Sequence, residues 1–143
     1  MIAGELALVA AALFSGGALY VGAVEHPARR HLADTALLAE WKPAYRRGAA
    51  MQASLAIVGF SLGVAAWWQG GDWLWLYGAI VLIANWPYTL LAIMPTNRQL
   101  KATDPANAGP ETRALLEKWA LLHAVRTTLG LAATVVFLLA AVR

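Results

Sequence analysis

The chain has 143 residues, of which 60% are hydrophobic and only 13% are charged. Soluble globular domains carry about 25% charged residues, so this composition excludes an ordinary soluble domain. The absence of cysteine excludes disulfides, thiolate metal sites and covalent haem attachment, and the net charge of +3 needs an explanation from the positions of the basic residues.

The apolar residues lie in four long blocks. About 20 residues of helix cross a hydrocarbon layer of about 30 Å. The predicted spans contain 20 to 23 residues each and are Ile2–Val24, Ala49–Trp68, Trp73–Met94 and Leu121–Val142. The sequence therefore predicts an all-α fold, with one domain over residues 1–143 built as an antiparallel four-helix transmembrane bundle.

The first span differs from a signal peptide. It begins without a basic segment and carries Glu5 instead, and it continues into "VEHPARR" without a small-residue cleavage pattern. We therefore expect it to be retained as a helix.

The connections between the spans differ in length. Pro27 ends the first span, and apolar residues about one turn apart predict a short interfacial helix over Ala28–Trp41. Pro43 then begins the approach to the second span. The second connection is the Gly-rich hairpin "QGGDW", and Pro110 suits the first turn of an extension that leads into the last span.

The basic residues indicate the orientation. Cytoplasmic connections of membrane proteins are enriched in Lys and Arg, so both long connections are predicted to be cytoplasmic and both termini to be outside. This topology accounts for the basic charge, and we expect no nucleic-acid partner. Nine of the 11 basic residues lie in or beside these connections: Arg29, Arg30, Lys42, Arg46, Arg47, Arg98, Lys101, Arg113 and Lys118.

Small residues recur at helical spacing in the first two spans. In lipid, close packing rather than hydrophobicity drives helix association, and small residues let backbones approach. We therefore expect Gly22, Gly59 and Gly63 to lie at helix contacts.

His123 and Arg126 are unusual because they lie inside an otherwise apolar span. Ionisable side chains inside a bilayer cost roughly 2.5 to 3.5 kcal/mol each, so they are seldom kept there without a partner or a role. Together with Trp119 they share one helix face, which we expect to point into the bundle with Glu25 as the partner of Arg126. The alternative is that Arg126 extends to the inner headgroups.

All four helices carry polar residues near the predicted cytoplasmic side, and these form the candidate site. A metal site is less expected, because the three histidines show neither HxxxH nor ExxH spacing. His31 is expected at the surface. The catalytic candidates are His26, His123 and Arg126; the substrate-binding candidates are Glu25, Gln52, Tyr88, Asn97 and Trp119; a metal, if present, would be held by His26, His123 and Glu25.

Four motifs together resemble a known family, the anthrone oxygenase-like group of small four-helix membrane proteins, long catalogued as a domain of unknown function. The resemblance covers nearly the whole chain. Each motif alone is degenerate, but their order at the helix ends is more specific. The motifs are Pro27, "MQ" at Met51 and Gln52, "PTNRQL" from Pro95 to Leu100, and "W...H..RT" from Trp119 to Thr127.

The resemblance implies an integral membrane protein, and some members of the family are oxygenases that convert polycyclic anthrones to anthraquinones without an obvious soluble-type cofactor site. Gln52, Asn97 and Arg126 match the family pattern in this resemblance. The chain departs from the family pattern at Ile93 and at His123, where Asn is common, so the resemblance does not assign the shared chemistry to His123.

Two functions are compatible with this sequence. The first is a membrane oxidoreductase or oxygenase acting on a hydrophobic aromatic or quinone-like molecule in an inner-leaflet pocket. There His26 or His123 would remove a proton, and Arg126 with Asn97 and Gln52 would stabilise the anion that meets O2. A conjugated substrate can supply its own electrons, so no cofactor is required by this reading.

The second function is non-enzymatic: a hydrophobic-ligand module, an accessory subunit or a small transporter. Transporters usually show internal repeats and midplane polar groups, and neither is clear here. The expected partners are a hydrophobic small molecule and membrane lipid, and a homo-oligomer remains open.

Overall fold

The structure, a computed structural model, describes residues 2–143 and contains four long helices. We label them α1 (Ile2–Arg29), α2 (Asp34–Gly70), α3 (Trp73–Ala102) and α4 (Pro110–Ala141), and a short 3-10 turn covers Pro105–Asn107. There is no strand in residues 2–143. All four helices are long and apolar enough to cross a membrane, which confirms the all-α four-helix bundle. Met1, part of the predicted domain, lies outside the described residues.

Each helix packs chiefly against two neighbours, because α1 and α3 both lie against α2 and α4. The contacts pair residues in opposite chain order, which is the pattern of antiparallel neighbours. Which ends of the helices face the cytoplasm stays a prediction. Between α1 and α2 the pairs are Ala10 with Gly59 and Gly17 with Met51, and between α2 and α3 they are Gly63 with Ala79 and Ala53 with Trp86. Between α1 and α4 they are Ser15 with Thr134 and Ala18 with His123, and between α3 and α4 they are Gly78 with Phe137 and Tyr88 with Leu122.

The half of the bundle that contains the Gly71 turn is closely packed around small residues. A Cβ atom on Gly63 would lie 2.9 Å from the Ala79 Cβ atom, and one on Gly59 would overlap the Leu82 side chain. These two contacts confirm the prediction for Gly59 and Gly63. Gly22 is exposed, and a Cβ there would reach only the His123 ring at 4.0 Å, so the prediction of a close contact at Gly22 is wrong.

Prolines change the winding of α1 and α3. Each of these helices widens into one π-helical turn, at Val21–Glu25 in α1 and at Thr89–Ile93 in α3. Both turns end two residues before a proline, Pro27 or Pro95. A proline ring clashes with the carbonyl four residues earlier, and in both helices that carbonyl lies inside the π turn. The wider turn makes room for the ring.

The segment after α1 does not form a separate helix. Only residues 30–33 interrupt the helical path, and α2 runs unbroken through Pro43. Leu38 and Trp41 are fully buried in an apolar cluster with α3 and α4, and this packing keeps the segment in line although proline removes one backbone hydrogen bond. The prediction of a separate short helix over Ala28–Trp41 is therefore wrong.

Ion pairs connect the helix ends on the side opposite the Gly71 turn. They connect the end of α1 and the residue after it to the beginnings of α2 and α4, and they connect the beginnings of α2 and α4 to each other. Exposed pairs contribute little stability individually, but Arg29 is only 3% exposed and pairs with two carboxylates. The pairs are Arg29 with Glu25 and Glu40, Arg30 with Glu117, and Arg113 with Asp34.

Candidate functional site

A pocket of about 170 Å³ opens between α2 and α3, with Arg126 of α4 in its wall. A cavity of about 150 Å³ holds one benzene ring, so this pocket takes roughly one ring, and a larger molecule must extend through the opening or spread the helices. The wall is mainly apolar with a few polar groups, as in typical ligand sites. Its residues are Tyr45, Ala49, Gln52, Ala53, Ala56, Asn85, Trp86, Thr89, Leu90, Met94 and Arg126.

Several polar atoms of this wall have no hydrogen-bond partner within residues 2–143. They include Gln52 Oε1, Asn85 Oδ1, Thr89 Oγ1 and Arg126 Nε, all buried. A buried polar atom without a partner costs about 1 to 3 kcal/mol, and the great majority of such atoms in folded proteins are paired. All four residues are among those that line this pocket.

Arg126 is 8% exposed and makes no ion pair with a carboxylate in the described chain. Its guanidinium carbon lies 5.6 Å from the centroid of the Phe14 ring, and the phenols of Tyr45 and Tyr88 are near enough to interact with its charge. The structure thus places Arg126 inside the bundle rather than at the headgroups. A buried cation of this kind favours an anionic ligand atom.

Glu25 is not the partner of Arg126, so this prediction is wrong. The Glu25 carboxylate lies 2.5 Å from Arg29, which follows four residues later on the same helix. A cation one turn away on the same helix face is held close by the backbone itself. Glu25 instead lines a small crevice of about 20 Å³ on the other side of Arg126.

His123 lines this crevice rather than the larger pocket. Its ring stacks on Trp119 at 5.2 Å, and its Nε2 atom lies 3.0 Å from the Ala18 carbonyl oxygen. Because a carbonyl can only accept, Nε2 carries the proton and Nδ1 is left as the basic atom. Gln52 and Arg126 line both cavities, so they form the wall between His123 and the pocket.

The structure does not bring His26 to either cavity. His26 is buried beside Glu117, with 3.4 Å between Nε2 and Oε1, and its ring centroid lies 6.4 Å from that of Trp119. Its position is among the ion pairs at the helix ends.

The other predicted site residues lie around the pocket without lining it. The Tyr88 hydroxyl donates to a backbone carbonyl of α4 at 2.9 Å, and the fully buried Asn97 amide donates to the Tyr45 hydroxyl at 2.9 Å. Asn97 therefore positions Tyr45, which does line the pocket. Trp119 lines the small crevice with Glu25.

The proposed metal ligands do not form a set. Within residues 2–143, no three His, Cys, Asp or Glu side chains lie close enough together to hold a metal ion. The Glu25 carboxylate is engaged by Arg29, and His123 Nε2 is engaged by a backbone carbonyl. The residues His26, His123 and Glu25 therefore do not fit a bound metal.

Tyr45, Asn85 and Thr89 line the pocket but are absent from the predicted site. A signal for Tyr45 exists, because Tyr45, Ala49, Gln52 and Ala56 follow the spacing of one helix face. It is visible only when α2 is extended backwards beyond Ala49. Asn85 and Thr89 are one turn apart on α3 and share a face in the same way.

Comparison with known proteins agrees with the resemblance noted in the sequence. The family model described as anthrone oxygenase matches residues 41–136, a range that includes every residue lining the larger pocket. The chain is 31% identical over 148 residues to a protein named anthrone oxygenase from Claviceps purpurea (strain 20.1), covering 91% of this chain and 83% of that protein. No solved structure matches the chain. The chain belongs to the anthrone oxygenase family.

Proposed function

We propose that this protein is a membrane oxygenase that binds an anthrone-like polycyclic ketone in the pocket between α2 and α3. The observation that carries the proposal is the group of unpaired polar atoms on an otherwise apolar wall, from Gln52, Asn85 and Arg126. Family membership supplies the class of reaction. The pocket supplies an apolar surface for aromatic rings and a cation for an oxygen atom.

Access to the pocket would be from the lipid. The opening lies between two helices, and the apolar side chains Trp86 and Leu90 at this place are exposed. Exposed apolar residues on membrane helices face lipid tails. A hydrophobic substrate dissolved in the bilayer would therefore reach the pocket sideways, with one ring inside and the remainder between the helices.

Arg126 would stabilise the anion formed from the substrate. An anthrone carries a CH2 group across the ring from its carbonyl, and loss of one proton from CH2 places negative charge on the carbonyl oxygen. A fixed cation at that oxygen lowers the energy of this anion, and so do amide donors such as that of Gln52. Arg126 is already buried and unpaired, so little reorganisation is needed.

His123 is the best candidate for the base. Its Nδ1 atom is basic in the tautomer that the Ala18 carbonyl requires. The crevice that it lines is about 20 Å³, which is room for one water molecule. A water there, next to Gln52 and Arg126, would relay the proton from the substrate to His123.

The overall reaction balances without a cofactor. The substrate CH2 group becomes a carbonyl, which removes four electrons and two hydrogens. One atom of O2 enters the product, and the other leaves with the two hydrogens as water. The substrate supplies all the electrons that O2 takes up.

The test is oxygen consumption by the purified protein in detergent with anthrone as substrate, combined with the absorbance of anthraquinone. We expect uptake of one O2 for each anthraquinone formed, and Arg126→Gln should lower kcat/KM by about 100-fold or more because an oxyanion donor is lost. Arg126→Lys keeps the charge but not the planar fork, so it should retain an intermediate rate.

Arg98→Gln is the matched control, because Arg98 is exposed and lines none of the cavities described here. Its rate should equal that of the unmodified protein. Wild-type oxygen uptake no faster than that of heat-denatured protein would reject the oxygenase function. An unchanged rate in folded Arg126→Gln would reject the role of Arg126.

A second candidate, ligand binding without turnover, is favoured by one observation. The described wall of the larger pocket contains no His, Asp or Glu side chain, so no strong base touches a molecule bound there. Quenching of tryptophan fluorescence by anthraquinone that is reduced in Trp86→Phe, without oxygen uptake from anthrone, would support this function instead.

A further inference from the structure

A third cavity, of about 330 Å³, lies between the beginning of α2 and the end of α3. Its lining residues are Lys42, Pro43, Tyr45, Arg46 and Lys101, so it contains three cations and no carboxylate. We call it the basic cleft. We propose that the basic cleft binds the phosphate group of an anionic membrane lipid. This proposal is independent of the oxygenase function.

Two of the three cations are held in place by neutral groups. Lys42 Nζ donates to the carbonyl oxygens of Lys101 at 3.0 Å and Thr103 at 2.5 Å. An ammonium group has three donors, so one remains for a ligand. Lys101 Nζ lies 5.1 Å from the centroid of the Tyr45 ring, as in a cation–π contact. These contacts fix the positions of both charges without neutralising either.

None of the described carboxylates at this end of the bundle lines the cleft. Asp104, which follows Lys101 by three residues, accepts a hydrogen bond from the Ala106 backbone N–H at 2.9 Å. Glu25, Glu40, Asp34 and Glu117 all pair with arginines near the ends of α1 and α4. In the described part of the chain, none of the three cleft cations forms an ion pair with a carboxylate. Like charges that converge on a cavity repel one another, and a bound anion relieves this repulsion.

The depth of the cleft favours a lipid over a soluble anion. Arg46 precedes the predicted apolar span by three residues, and Lys101 follows one by seven. At 1.5 Å per residue these positions lie about 5 and about 10 Å beyond the hydrocarbon. That is close to the level of the lipid phosphates, and basic pockets between helices on the cytoplasmic side bind anionic headgroups.

The test is native mass spectrometry of the full-length protein, delipidated and then titrated with phosphatidylglycerol or phosphatidylcholine. We expect tighter binding of phosphatidylglycerol. The triple variant Lys42→Gln, Arg46→Gln, Lys101→Gln should lose roughly fivefold in affinity for each cation removed. The matched control is Arg47→Gln, Arg98→Gln, Lys118→Gln, which removes three exposed cations of α2, α3 and α4 that do not line the cleft.

Equal losses in the two triple variants would overturn the proposal, since the attraction would then be a general surface effect. If inorganic phosphate at millimolar concentration displaced the lipid completely, the cleft would be a soluble-anion site and the lipid assignment would fail. Lys42 also ties α2 to α3, so the double variant Arg46→Gln, Lys101→Gln serves as the test if the triple variant does not fold.

Discussion

The half of the bundle that contains the Gly71 turn and the half that contains the ion pairs are built from the same four helices but are packed differently. In the first half, alanines and glycines bring the backbones together around Phe14 and Phe137. In the second half, Gln52 and Arg126 border a pocket of about 170 Å³ and carry unpaired polar atoms. The two halves therefore differ in how closely the helices approach one another around these residues.

Phe14 marks the boundary between the halves. A Cβ atom on Gly130 would lie 2.7 Å from the Phe14 ring, so α1 and α4 are in close contact at this level. One turn nearer the predicted cytoplasmic side, Arg126 lies over the same ring. The fold therefore changes from tight packing to a polar cavity within about one helical turn, and substitutions on either side should behave differently.

The largest expected effect on stability is in the closely packed half, which contains the Gly71 turn and is called the tight half below. Gly63→Leu would place a branched side chain against Ala79 and Phe137, neither of which can move away easily. Overpacking of this kind costs about 1 to 3 kcal/mol in the free energy of unfolding, or prevents folding. Gly16→Leu in α1 is the control, because Gly16 is exposed and an added Cβ atom there meets nothing within 4 Å, so this variant should melt at or above the wild-type temperature in detergent. Equal melting temperatures of the Gly63→Leu variant and the control variant would contradict close packing in this half.

A smaller effect of opposite sign is expected at the pocket. Gln52→Met has nearly the same volume and removes a buried oxygen that lacks a partner, so it should raise the free energy of unfolding by about 1 kcal/mol. The same change should weaken the binding of anthraquinone. Gln99→Met, at an exposed position of α3, is the control for the added methionine. A loss of stability in Gln52→Met would indicate that the amide is fully paired.

The smallest effect concerns a polar contact within the tight half. The Ser15 hydroxyl oxygen lies 2.9 Å from that of Thr134, which also donates to the Gly130 carbonyl. Thr134 therefore keeps a partner when Ser15 is removed, and Ser15→Ala should cost about 0.6 kcal/mol, the average for such bonds in membranes. Ser54→Ala, whose hydroxyl bonds only within its own helix, should cost less. A loss above 2 kcal/mol would mean that this polar contact, rather than small-residue packing, holds the half together.

The features that were predicted correctly depend on spacing along the chain. Apolar length locates the four helices, and glycines at helical spacing locate the contacts at Gly59 and Gly63. Gln52 and Arg126 stay predicted site residues, which could be selected because a polar residue within an apolar span is visible in the sequence. Their common location on one cavity wall follows from helix faces that meet in the bundle.

The features that were missed depend on competition between two arginines for one carboxylate and on the continuity of α2. Glu25 and Arg126 have similar depth, but Arg29 reaches the carboxylate from the same helix. Pro43 indicates a break in the sequence, whereas tertiary packing of Trp41 keeps the helix continuous and brings Tyr45 to the pocket. Neither outcome is determined by residue spacing alone.

The π-helical turn at Thr89–Ile93 has an evolutionary consequence. A π turn takes up one residue more than the α turn it replaces and confines the extra length to itself. Where the proline at position 95 is also replaced, so that no ring needs the wider turn, deletion of one residue, for instance the exposed Leu91, would restore ordinary winding and leave the faces of Asn85 and Asn97 unchanged. Relatives without this proline can therefore lack one residue here without disturbing the two halves of α3, and an alignment of the family should place a single-residue gap in this turn, in those relatives, rather than in the flanking segments.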